Sequence, residues 1–173
     1  MKHAAPDNDL RPLGDPGSDA FQVRRYPFFL LNRVVSRYNV IVEAQLRRIG
    51  LDIPSWRVLM VLGERAPRSV SHLAETCVIN LSTLMRVLQR MERGGLVKRA
   101  PNPLDGRVTE VWLAEAGRKK LVRARASTAP IYAGAIAGFT AAEFAQMNSL
   151  LDRLFTNLDA VAQAESPHGS DDS

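Results

Sequence analysis

A mainly α fold carrying one small β-hairpin is what the sequence predicts, and three observations predict it. Apolar residues recur at steps of three and four near both ends of the chain, two short capped helices occupy the middle, and the period drops to two directly after them. At 173 residues and 46% hydrophobic, the chain has the length and apolar stock for one domain with a real core. A single Cys excludes a disulfide scaffold and fits a reducing, cytoplasmic setting.

Residues 1–25 are interrupted by Pro6, Pro12 and Pro16 and hold no apolar run of signal-peptide type, so a disordered tail is expected there. Pro27 suits a first helical turn and Gly50 the residue past a helix end. Between them Leu31, Val35, Tyr38, Val42 and Ile49 recur at helical spacing, which predicts a long helix with a broad apolar face over 26–51. Pro54 to Arg65 reads as a shorter helix bearing Trp56, Leu59, Met60 and Leu62, stopped by Ala66-Pro67-Arg68. Ser71 is a candidate cap for a helix carrying Leu73, Ala74 and Cys77, and Asn80 caps the next, which runs to Arg93 and ends at Gly94-Gly95. On that second helix Leu81, Leu84, Leu88 and Met91 take one side. Thr83, Arg86, Arg90 and Arg93 take the other, with Ser82 and Gln89 adjoining. One face packs and the other is left to meet a partner.

Leu96 to Ala100 and Val108 to Leu113 then alternate as strands around a basic, turn-rich tip, Pro101 to Gly106. Two short helices followed at once by such a hairpin form a winged helix-turn-helix over 54–114, whose second helix fits a DNA major groove while the wing reaches phosphates or the minor groove. A further helix is expected from about Glu115 to Ala137. Thr140-Ala-Ala-Glu143 is a capping box, after which Phe144, Met147, Leu151, Leu154, Leu158 and Val161 form a seam for another helix. Stripes this apolar at both ends suit pairing of two chains. The expected architecture is therefore a winged helix-turn-helix inserted between N- and C-terminal dimerisation helices, 26–51 and 115–163, with a second disordered tail over 164–173.

Charge sharpens this division. The chain carries +5 in total, but residues 54–126 hold 14 Lys and Arg against 6 Asp and Glu, while the remainder holds 9 against 12. The winged helix is the basic part, which points to a polyanion as its partner. The same residues argue against an enzyme: there is no Gly-rich phosphate loop, nucleophile elbow or pair of carboxylates on one helix face. With His3, His72, His168 and Cys77 as the whole stock of soft ligands, neither a metal nor another cofactor is expected. The longest uncharged stretch, Ala126 to Ala142, contains Pro130, Gly134 and Gly138 and is too short and polar to span a bilayer, so no membrane partner is expected.

Ser71-His-Leu-Ala-Glu75, Leu81-Ser-Thr83 with Arg86, Arg90-Met-Glu-Arg-Gly-Gly-Leu-Val97, Asp105-Gly-Arg107 and Leu113-Ala-Glu-Ala-Gly-Arg118 together resemble the MarR family of bacterial transcription regulators, across about Pro27 to Leu158. The resemblance implies a homodimer on a double-stranded, pseudo-palindromic operator. Carried over by position, Ser82, Thr83, Arg86 and Gln89 would face the major groove and Arg107 the minor groove, with Asp105 steadying the wing tip. Ser71, His72, Arg90, Lys98 and Arg99 would supply further DNA contacts, mainly to phosphates. Two positions depart from the family pattern: Gly106, where many relatives carry a second Arg, and Ala114, where a capping Thr or Ser is common.

Family members commonly respond to small phenolic or aromatic acids, so a small-molecule effector is expected, and Arg33, Arg37, Tyr38, Trp56 and Arg57 are the candidates for its slot. Repression relieved by that ligand is the expected mode. Two rival readings stand beside it: a redox-responsive regulator acting through Cys77, and a winged helix used for protein contacts.

Overall fold

Each helix begins and ends where the local chemistry demands. The computed structural model describes residues 9–165, in two compact units that meet at Ile131 and Tyr132. In the first unit, a helical turn α1 (Arg11–Gly14) and a 3-10 turn (Val23–Arg25) lie within the segment expected as a tail, with Phe21, Tyr26 and Phe28 in edge-to-face contact beside them. Residues 1–8, which also belong to that expectation, lie outside the described residues, as do 166–173.

Helix α2 (Pro27–Arg48) starts on Pro27 and is stopped by Gly50, which takes φ +69. Of its expected apolar stripe only the later part is covered: Val42 and Leu46 are buried, whereas Val35 stays 49% exposed alongside Phe29, Leu30, Val34, Val40 and Ile41. Helix α3 (Ile53–Glu64) is capped by Asp52, whose carboxylate accepts from the Ser55 N–H at 2.9 Å. It buries Val58, Leu59 and Leu62.

Strand β1 (Arg68–Ser69) leads straight into helix α4 (Val70–Cys77). Here the cap is Ser69, accepting from the His72 N–H at 3.2 Å, and not Ser71, which is exposed within the first turn. Ser69 ends an extended strand residue (ψ 154), so its hydroxyl is already placed over the third amide of the helix, and Ser71 is left to face outward. Val78 closes α4 in the left-handed region at φ 54, and Asn80 caps helix α5 (Leu81–Arg93) by accepting from the Thr83 N–H at 2.9 Å. Leu84, Val87, Leu88 and Met91 are its buried side; Leu81, expected there, is the first residue of the helix and is 53% exposed.

Strands β2 (Val97–Pro101) and β3 (Thr109–Leu113) pair antiparallel, Val97 opposite Leu113 and Pro101 opposite Thr109, and β1 joins the other edge of β3 in the order β1-β3-β2. Leu46, Leu59, Leu73, Leu84, Leu88, Met91, Val97 and Val111 come together as the core beneath this sheet. Helix α6 (Glu115–Ala135) then leaves β3 with Gly117 against the backbone of Leu96, and Lys120 donates to the Ile49 carbonyl at 2.7 Å, closing the end of α2.

The second unit holds the end of α6 and helix α7 (Ala141–Glu165). Gly138 at φ +87 makes the turn, and the capping box forms as expected: the Thr140 N–H donates to Glu143 Oε2 at 2.8 Å and the Glu143 N–H to Thr140 Oγ1 at 3.2 Å. Along α7, Leu150, Leu151, Phe155, Leu158 and Val161 are all exposed. No helix among the described residues is long and apolar enough to cross a membrane.

Candidate nucleic-acid interface

The outward side of α5 is built by its inward side: with Leu84, Val87, Leu88 and Met91 committed to the core, Ser82, Arg86, Gln89 and Arg93 fall on one exposed stripe at steps of four and three, and Thr83 lies beside it. Ser82 donates to the Asn80 carboxamide at 3.0 Å, so the first two polar residues of the stripe are anchored to the cap. Arg86 and Gln89 carry no such tie among the described side chains and extend into solvent, which leaves their hydrogen-bonding groups free for a groove. Ser71 is exposed on α4, and the His72 ring shares a hydrogen bond with Thr76 at 3.3 Å.

Two of the expected DNA contacts are turned elsewhere. The Arg90 guanidinium pairs with Asp52 and donates to Ser55 Oγ at 3.1 Å, tying α5 to the start of α3. Burial disfavours the Asp52 carboxylate, but the hydrogen bonds from Ser55 and the charge of Arg90 outweigh it and hold its carboxyl below the usual range. Arg99 is half-buried and donates to Glu92 at 2.9 Å, tying β2 to α5; that bond holds the Glu92 carboxyl below the usual range too. Neither pairing was legible in the sequence, because the partners lie on other elements. Lys98 remains exposed.

The wing tip is organised by a residue that sequence reasoning passed over. Asn102 Oδ1 accepts from the amides of Leu104 at 2.7 Å and Asp105 at 3.1 Å, while its amide nitrogen donates to Glu110 at 2.8 Å. Its side chain thus mimics a backbone turn, for which Asn between two prolines was the available signal. Asp105 accepts from the Arg107 N–H at 3.0 Å and lies 3.7 Å from its guanidinium, and the Arg107 side chain is 96% exposed. Gly106 has open space around it.

A cleft of about 470 Å³ lies on the same unit, lined by Val35 of α2, by Trp56, Arg57, Met60 and Val61 of α3, and by Thr76, Cys77 and Val78 at the end of α4. Of the expected effector residues, Trp56 and Arg57 line it and Tyr38 packs on Trp56 with ring centroids 6.4 Å apart. Arg33 lies 5.9 Å over the Phe29 ring, and both it and Arg37 are exposed on α2 away from the cleft, because they fall on the side of the helix opposite Val42 and Leu46. Burial pushes the Cys77 thiol up to about 11, against the opposing pull of Arg57.

An exposed polar and basic stripe on the second helix of a capped helix pair, next to a hairpin whose tip carries an exposed Arg, defines a winged-helix DNA-binding protein. The MarR family model matches residues 49–108. The HTH-type transcriptional repressor IacR of Pseudomonas putida is 37% identical over 147 residues, 85% of this chain and 88% of that protein. The chain belongs to the MarR family, and is a transcriptional regulator rather than an enzyme. A MarR-family regulator from Silicibacter pomeroyi shares its fold at TM-score 0.73 and 24% identity, covering 86% of this chain and 96% of that one. So does the PcaV regulator of Streptomyces coelicolor, solved with its natural ligand, at TM-score 0.68 and 22% identity over 79% of this chain and 96% of that one.

Proposed function

We propose that the protein is a cytoplasmic, homodimeric repressor that binds a pseudo-palindromic operator and is released from it by a small aromatic or phenolic acid. The observation that carries this reading is the exposed stripe of Ser82, Arg86 and Gln89 on α5 together with the 96% exposed Arg107 at the wing, in a chain 37% identical to a protein named a repressor. Thr83 joins that stripe in the major groove. Arg107 enters the minor groove, where a narrow A·T-rich stretch concentrates negative potential, and Asp105 presets its backbone. Lys98 adds phosphate attraction, and Ser71 and His72 lie on the helix that crosses the backbone.

A second copy covers the exposed apolar residues of α2 and α7. Leu30, Val34 and Ile41 on one helix and Leu151, Phe155 and Leu158 on the other are too many, on stripes too regular, for solvent-facing helices. Two reading helices then meet half-sites about one helical turn apart, roughly 34–36 Å.

The effector occupies the cleft lined by Trp56 and Arg57, whose apolar walls and single cation suit a planar monoanion. Cys77 supports a redox mode poorly, since a thiol pushed up to about 11 is almost wholly protonated at neutral pH and the thiolate is the reactive form.

A duplex selected from a random library by the full chain tests the reading. Enrichment of an inverted repeat, bound in a salt-dependent way and released by an aromatic acid, is the expected result; recovery of duplexes with no shared sequence would overturn it.

A further inference from the structure

The cleft and the turn of the helix-turn-helix share one side chain. Arg57 lines the cleft as its one charged residue, and the same guanidinium donates through Nη1 to the Cys77 carbonyl at 3.1 Å. Cys77 is the last residue of α4. The next residue, Val78, sits at φ 54 and ψ 52 with 81% of its surface exposed. A β-branched residue in the left-handed region is strained and persists only where its surroundings fix it. From the α4 side it is fixed by its own N–H to the Glu75 carbonyl at 3.0 Å and by the Ile79 N–H to the Ala74 carbonyl at 3.0 Å. From the α3 side the tie is Arg57. Two residues later Asn80 caps α5, so the geometry of this turn sets the start of the reading helix.

We propose that Arg57 is a hand-over residue. With the cleft empty its guanidinium clamps the Cys77 carbonyl and fixes the turn before α5; with the carboxylate of a small aromatic acid in the cleft, the guanidinium takes the carboxylate and releases the turn. This rests on the reading of the cleft as the effector site. The exchange runs in that direction because a carboxylate can accept two parallel N–H bonds from the guanidinium and brings an opposite charge, whereas the Cys77 carbonyl accepts one bond and brings no charge. An uncharged isostere of the acid fills the same space without the power to move Arg57.

The test uses the full chain and the selected duplex. Without any ligand, Arg57→Gln weakens DNA binding by about tenfold, the worth of one charge-assisted hydrogen bond, with the far-UV spectrum unchanged, and speeds hydrogen exchange at the Val78 and Ile79 amides. Arg57→Lys, which keeps a charged donor, recovers at least part of that affinity; equal loss in both variants marks a packing defect and overturns the clamp. Benzoate, phenylacetate and 1-naphthoate are then compared with their primary amides in a Trp112→Phe background, where Trp56 alone fluoresces. The acids quench Trp56, speed exchange at Val78 and Ile79 and release DNA, whereas the amides quench without speeding exchange. Acids that bind and release DNA while Val78 and Ile79 exchange at the unliganded rate overturn the hand-over and leave the effector cleft standing. If no acid quenches or releases, the effector cleft falls, and the ligand-free Arg57→Gln measurement decides the clamp.

Discussion

Arg90 separates two accounts of the reading helix, because it sits on the polar side of α5 by sequence and on α3 by structure. As a phosphate contact, Arg90→Gln removes one counterion-releasing site per chain. For a dimer the salt dependence of binding then falls by about 1.8 in log-log slope, twice the roughly 0.9 expected per phosphate. As a tie to Asp52 and Ser55, the substitution leaves the slope alone and costs stability instead. The pair is 56% and 40% exposed, so screening limits it to about 0.2–1 kcal/mol. The hydrogen bond to Ser55 adds a few tenths, since the Ser55 hydroxyl still has the Asp52 carboxylate beside it. The sum is about 1 kcal/mol, or roughly 2–4 °C in Tm for a chain of this size. Binding measured between 50 and 300 mM salt, with thermal unfolding at fixed protein concentration, distinguishes the two. The structure predicts an unchanged slope and a lowered Tm; a slope reduced by nearly 2 with an unchanged Tm refutes the tie. Acid adds a check of sign. Asp52 has a lowered pKa in the fold, so the carboxylate's contribution is whole above the unfolded value near about 4 and is lost as pH falls through the folded one. Wild type and Arg90→Gln should therefore converge in stability below that range.

Other substitutions probe the remaining parts. Arg107→Ala, by contrast with Arg90→Gln, should reduce the salt slope by about 1.8 for the proposed dimer with no loss of Tm, because among the described residues the side chain makes one loose pair, with Asp105; an unchanged slope would argue against its groove contact. Gly117→Ala gains about 1 kcal/mol in helix propensity, yet its Cβ would fall 2.0 Å from the Leu96 carbonyl oxygen, which is backbone and cannot swing away. Overpacking of about 1–3 kcal/mol, with about 1 more for the Ala114 to Leu96 hydrogen bond, leaves a net loss of roughly 2 kcal/mol; denaturant unfolding that shows equal or greater stability would contradict the close approach. Phe155→Asp, at a site 66% exposed within the chain, should shift the sedimenting species from twice the 19.1 kDa chain mass to one, and a persistent dimer would remove α7 from the pairing surface.

What the sequence disclosed was whatever is written locally. Proline and glycine punctuation, the Asn80 cap and the Thr140 to Glu143 box are patterns of a few adjacent residues, and each helix they predicted is present. Strand β1 was not legible, since two residues carry no period and pair with β3 more than forty positions later. The choice of Ser69 over Ser71 as cap depended on that strand. The site divides the same way. Exposure of Ser82, Arg86 and Gln89 follows from helical periodicity, but Arg90 to Asp52 spans 38 residues and Arg57 to Cys77 spans 20, so the sequence offered Arg90 as a DNA contact and Arg57 as an effector contact and showed neither tie. Likewise Thr76 and Val78 enter the cleft only because α4 packs on α3.

Both ties of the helix-turn-helix run to the same helix. Arg90 joins the last turn of α5 to the first turn of α3, and Arg57 joins the second turn of α3 to the end of α4, so α5 is referenced to α3 at two points on either side of its capped start. Buried contacts of Leu59 and Leu62 with Leu73, Leu84 and Leu88 hold the three helices as one packed body, and packed bodies shift between discrete arrangements rather than deform smoothly. An occupant of the cleft touches α3 and the end of α4 and reaches no part of the wing. On the function proposed above, its leverage falls on the orientation of α5 and leaves the charge of Arg107 and Lys98 in place. A ligand acting this way lowers sequence preference more than it lowers general attraction to DNA, which is what a regulator needs in order to leave an operator while remaining on the chromosome.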